Sequence, residues 1–98
     1  MTYRSASKLT FAPAWAGMTP DERLGEQVAA MEIVAKYGGE SEGQWWLWTD
    51  QVLLSITSYP DEASGMKALM AIGARGAFEL VGQTALSLEE ISGLQADI

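Results

Sequence analysis

The sequence predicts an α+β domain in which strand, helix, strand, strand, helix and strand follow in turn, folded as a four-stranded antiparallel sheet with two helices on one face. Three observations predict it. Two stretches carry apolar residues at helical spacing, each helix is closed by glycine, and an aromatic hairpin with a short polar join lies between them. At 98 residues there is room for one domain, taken as residues 1–98.

Residues 3–11, "YRSASKLTF", alternate well enough to read as a first strand, blurred by serines. The turn-rich "APAWAG" follows. In "TPDE" Thr19 can cap a helix, Pro20 suits its first turn and Glu22 completes a capping box. The helix then runs over residues 20–37, with Leu24, Val28, Met31 and Ala35 at its spacing and Ile33, Val34 and Tyr37 widening the stripe. Gly38 and Gly39 end it.

Residues 41–48 and 51–59 are rich in aromatic and branched side chains, and only Thr49 and Asp50 join them, which is a hairpin. The second helix begins after "YPDE", with Asp61 and Glu62 at its positive end, Met66, Leu69, Met70 and Gly73 on one face, and Gly76 just past its end. Residues 78–86 form the last strand. Ser87 and Glu90 make a second capping box, so the tail holds one or two helical turns. This order is the split βαβ plan, with strands 1 and 3 central, strands 2 and 4 at the edges, and one sheet face bare.

Composition excludes several function classes. A net charge of −7 and only six Lys and Arg leave no basic surface for nucleic acid or anionic membranes. Cysteine, histidine and asparagine are all absent, which removes thiol nucleophiles, imidazole bases and the usual zinc ligands. No metal and no cofactor are expected. The first eleven residues lack a leader pattern and no stretch reaches membrane-spanning length, so the expected address is the cytoplasm.

"GQWWLWTDQVLL" places three of four tryptophans within four positions. Strand alternation points Trp46 and Trp48 to one face and Trp45 and Leu47 to the other, so an edge strand is apolar on both sides. A second copy of the chain is the simplest cover, closing a homodimer about a twofold axis.

The run from "GGESEGQWWLWTDQVLL" through "SYPDEASGMKALMAIGARGAF" to "SLEE", with "LTFAPAWAGM" before it, resembles the GYD-domain family. The resemblance implies a ferredoxin-like fold in the dimeric α/β-barrel superfamily. The Gly-x-Tyr-Asp signature is not retained: it falls on Thr49, Asp50, Gln51 and Val52, leaving one displaced acid, Asp50. Relatives in the wider superfamily include cyclases, isomerases and monooxygenases that work without cofactors.

Candidate site residues follow from side-chain parity. Tyr3, Ser5, Ser7 and Leu9 share one face of strand 1, and Leu53, Ser55, Thr57 and Tyr59 share one face of strand 3. Either the two faces look inward and line a hollow walled by Trp46 and Trp48, or they are wettable sheet surface. Lys8 is a proton-transfer or anion-binding group if it faces a closed cavity, and a snorkelling surface lysine otherwise. Asp50 is a general base beside an apolar wall or a turn residue bonded to its own backbone. Trp15 and Met18 form a lid or pack on the sheet edge, and Met66 joins the substrate-binding set. The small residues of helix 2 either let its backbone approach the sheet or leave volume for a ligand.

These readings combine into an expectation: a small-molecule-binding homodimer, acting as a cofactor-independent enzyme on an aromatic or polyketide-like compound of secondary metabolism. Proton transfer of the isomerase or cyclase type is the first choice and monooxygenation the second. The alternative is a non-catalytic ligand-binding or accessory dimerisation protein.

Overall fold

The computed structural model describes residues 2–96, so the outermost positions of the expected domain, Met1, Asp97 and Ile98, lie outside the described residues. In chain order it contains β1 (Tyr3–Phe11), a 3₁₀ turn (Pro13–Gly17), α1 (Pro20–Lys36), β2 (Glu40–Leu47), β3 (Val52–Tyr59), α2 (Glu62–Ala74), β4 (Phe78–Thr84) and α3 (Leu88–Gln95). The sheet order is β2-β3-β1-β4, with every neighbouring pair antiparallel. This is the ferredoxin-like α+β arrangement that the order of elements predicts.

Local chemistry sets the helix ends. Thr19 accepts from the Glu22 amide while the Glu22 carboxylate accepts from the Thr19 amide, and Ser87 and Glu90 repeat this reciprocal box at α3. Each box satisfies two amides that have no partner within the helix. Asp61 caps α2 by accepting from the Ser64 amide at 2.7 Å. Gly38 at φ 78° and Gly76 at φ 81° take the left-handed conformation that closes α1 and α2.

Which helix side faces the sheet differs from the apolar stripes read in sequence. In α2 the buried residues are Gly65, Ala68 and Ile72, whereas Met66 and Met70 are exposed. The rings of Tyr3 and Tyr59 lie under the start of α2, and a Cβ on Gly65 would stand 3.0 Å from Tyr59 and 3.1 Å from Tyr3. The small residues therefore serve close approach there. In α1 the side turned toward the core is Ala30, Ile33 and Val34, and Leu24, Val28 and Met31 stay exposed. This helix is apolar on two flanks, and packing against α2 selects one of them.

The buried core is small and lies on the α2 side: Ile72, Ala77 and Phe78, with Leu9, Trp15, Met18 and Leu80 against them. Arg75, just beyond α2, forms a two-pronged ion pair with Glu26 of α1 at 2.9 and 3.0 Å. α1 leans on α2 more than on any strand. A gap remains between α1 and the sheet.

The opposite sheet face has no helix across its centre. Cross-strand register places Trp45, Leu54, Lys8 and Val81 in one row, and Gly43, Ile56, Ala6 and Gln83 in the next. Near one end of this face Arg4 pairs with Glu42 at 2.9 Å and with Glu90 of α3 at 3.4 Å, while Ser58 donates to Glu42. Glu42 sits at the register irregularity between Ser41 and Gly43, where one extra residue in β2 lets its carboxylate reach across.

Candidate functional site

The gap under α1 is a cavity of about 330 Å³ whose floor is the helix-facing side of the sheet. Strand pairing orders that floor into rows. Tyr3 faces Tyr59; Ser5 lies between Thr57 and Thr84; Ser7 lies between Ser55 and Gly82, with Gln44 beyond Ser55; Leu9 lies between Leu53 and Leu80, with Trp46 beyond Leu53; Phe11 faces Phe78. Alternate residues along a strand are about 6.8 Å apart, twice the rise per residue. The floor therefore changes from hydroxyl-bearing to aromatic over a few rows.

The roof is Gln27, Ala30, Met31 and Val34 of α1 with Leu69 and Ile72 of α2. At the aromatic end Phe11 stacks on Trp15 with centroids 4.4 Å apart and lies 6.0 Å from Trp46, while Trp15 is 5.2 Å from Phe78. Arg23 fixes this end: its guanidinium lies over Trp15 at 5.6 Å and donates to the carbonyls of Trp15 and Ala16.

Tyr59 closes the polar end. It is 3% exposed, and burial raises the phenol pKa above its ordinary value because the phenolate is disfavoured away from water. Gly39 on one side and Gly65 on the other approach its ring so closely that a Cβ would stand 2.7 Å and 3.0 Å away. The hydroxyls beside it are poorly satisfied from within the protein. Ser55 and Thr57 Oγ atoms are 3.5 Å apart, longer than an ordinary hydroxyl bond, and the buried Ser5 Oγ has no partner among the described residues.

Among the described residues no Asp, Glu, Lys or Arg lines the cavity. Of the residues singled out from sequence, Ser7, Trp46, Ser55 and Tyr59 come together in it, with Leu9, Leu53 and Thr57 of the same strand faces. Tyr3 shares the end row with Tyr59 but lies under Gly65 outside the lining, its hydroxyl accepting from Thr84 at 3.3 Å. Trp15 backs the aromatic end rather than lining it. The remaining candidates stand elsewhere. Trp48 lies past the end of β2 and is 82% exposed, Met66 is on the outer side of α2, and Asp50 is exposed in the β2–β3 turn. Lys8 is on the bare face between Leu54 and Val81.

Gln44, Phe11 and Phe78 were not singled out as site residues in the sequence, yet a signal for two of them existed. Gln44 has the parity of Trp46, and Phe11 that of Ser7. Gln27 had none, because the rotation of α1 is decided by its packing on α2; Met31 had only its place on the apolar stripe of α1, and it borders the cavity while staying largely exposed.

No protein-family model matches this chain, and no curated protein sequence matches it. Among solved structures it is similar to chlorite dismutase from Candidatus Nitrospira defluvii, in a mutant form and in a complex with imidazole. Both superpose with a TM-score of 0.62 at 12% identity, over 94% of this chain and 43% of theirs. The chain thus spans less than half the length of those proteins, and at this identity the likeness shows the fold alone. Among the described residues no helix is long and apolar enough to cross a membrane.

Proposed function

We propose that this chain binds a small, aromatic or polyketide-like molecule in the cavity between α1 and the sheet, as a homodimer of the GYD-domain type. The observation that carries the reading is the cavity itself. About 330 Å³ of space has an aromatic end, an under-satisfied hydroxyl end and a floor of paired strands, the usual makeup of a small-molecule site. Trp46, Phe11 and Leu53 supply apolar contact; Ser7, Ser55, Thr57 and Tyr59 supply orientation.

A cofactor-free enzyme is the second reading, and Tyr59 favours it. A phenol kept neutral by burial, next to hydroxyls, is suited to donate a hydrogen bond to a carbonyl oxygen as negative charge develops there. Asp50 and Lys8, assigned proton transfer on sequence grounds, do not reach the cavity within one subunit. Their participation would need the second subunit to bring them to it.

The dimer is supported by the bare face, where Trp45 and Val81 are more than half exposed beside Leu54 and Ile56. The test of the binding reading is Trp46→Ala against Trp48→Ala, with ligand retention read by native mass spectrometry after incubation with a mixed set of aromatic compounds. Loss of retention is expected for the first and wild-type retention for the second. Equal retention by both contradicts the assignment.

A further inference from the structure

The cavity's chemistry narrows what it accepts, and the narrowing rests on the binding reading above. We infer that the site selects an uncharged molecule of about two fused rings, carrying a hydroxyl or carbonyl oxygen at one end, and that Ser7 and Ser55 are the residues that read that oxygen.

Three observations carry this. The first is the lining. A charged ligand seated over Ser7 and Ser55 would give up water and meet no opposite charge, since among the described residues none of the lining side chains is Asp, Glu, Lys or Arg. An anion is further opposed by the chain's net charge of −7. The second is size. An apolar cavity of roughly 150 Å³ holds one benzene ring in another protein, so the volume of about 330 Å³ here has room for two rings.

The third is the one-ended polarity of the floor. Ser7 and Ser55 pair directly across β1 and β3, and the next row outward, Leu9 with Leu53, is apolar. A ring system laid on Leu9, Leu53 and Trp46 therefore has its far end over the two serines. Their neighbourhood has unspent hydrogen-bonding capacity: Ser55 reaches Thr57 only at 3.5 Å, and Ser5, one row further, has a buried Oγ without a partner among the described residues. A ligand oxygen placed there gains a bond that the protein does not make for itself. A hydrocarbon placed there leaves the hydroxyls unpaired, which is how a polar site rejects an analogue lacking the oxygen.

The test titrates the wild-type protein by calorimetry at neutral pH with naphthalene, β-naphthol and β-naphthoate, which share one ring system and differ in oxygen and charge. β-Naphthol is expected to bind about tenfold more tightly than either of the others. In Ser7→Ala/Ser55→Ala the gap between β-naphthol and naphthalene is expected to close, the first losing its hydrogen bonds and the second no longer leaving hydroxyls unpaired. If β-naphthol and naphthalene bind the wild type equally, or β-naphthoate binds best, the selectivity inference is overturned while the binding reading stands. If none of the three binds, the reading of the cavity as a small-molecule site falls with it. Should the double variant fail to melt cooperatively, Ser55→Ala alone is titrated in its place, and a preference for β-naphthol over naphthalene as large as in the wild type overturns the serine assignment.

Discussion

Tyr59 shows how one residue joins stability to the site. It is the inner end of β3, pairs with Tyr3, and is held between Gly39 and Gly65, so three separate segments determine where its hydroxyl sits. A side chain at either glycine would have to displace the ring. Because burial raises its pKa, the neutral phenol is preferred in the folded state over the unfolded one. The sign follows from linkage. Tyr59 contributes stability that is fully present below about pH 10, the ordinary phenol value, and is lost as pH rises through the raised folded value. Ultraviolet difference titration of wild type against Tyr59→Phe should show one phenol ionising later than a free tyrosine and only in the wild type. A spectrum in which the variant loses a normally titrating phenol contradicts the buried placement.

At the scale of elements, each α-helix starts on a cap that involves a carboxylate. The carboxylates of Glu22, Asp61 and Glu90 are held below their ordinary values chiefly by backbone amides at helix starts, and Glu26 and Glu42 by hydrogen bonds from Arg75, Ser58 and Arg4. Depressed carboxylate values mean stability that is present above about pH 4.5 and lost as pH falls through the folded values. Urea unfolding midpoints should therefore stay level from neutral pH to about pH 5 and drop below pH 4. A midpoint unchanged at pH 3 would mean that the caps and pairs do not hold in solution. These same caps were legible in sequence, since Thr-Pro-Asp-Glu and Ser-Leu-Glu-Glu are local signals. Strand parity was legible too: Ser5, Ser7, Ser55 and Thr57 share one face as their spacing dictates. Whether that face looked at helices or at water was not, because parity is symmetric until something packs on one side. Helix rotation was the least legible. Met66 and Met70 are apolar and correctly spaced, yet Gly65 and Ala68 face the sheet, and at Gly65 two tyrosine rings leave no room for a larger residue.

As a whole, the molecule is a slab of 52 × 31 × 18 Å with helices α1 and α2 on one side and apolar strand residues bare on the other. A sheet face carrying Trp45, Leu54, Ile56 and Val81 is the surface that the proposed homodimer covers. Each copy carries a charge of −7, so association brings like charges together and is opposed most at low ionic strength. Sedimentation equilibrium should show tighter dimerisation as salt rises toward physiological strength, where charges beyond about 8 Å are screened. Ile56→Asp, at the centre of the face, should leave a folded single subunit. A wild-type single subunit at every salt concentration removes the dimer from the account without touching the cavity, which lies on the other side of the sheet.

The four indole N–H signals of the protein report on the cavity directly, because each tryptophan occupies a different place. Trp46 lines the cavity, Trp15 backs it, Trp45 is on the bare face and Trp48 is out in the turn. In a two-dimensional nitrogen–proton spectrum recorded during titration with β-naphthol, Trp46 should move most, Trp15 less, and Trp45 and Trp48 not at all. Movement confined to Trp45 or Trp48 would place the ligand on the opposite face or outside the fold, and would contradict the site described above.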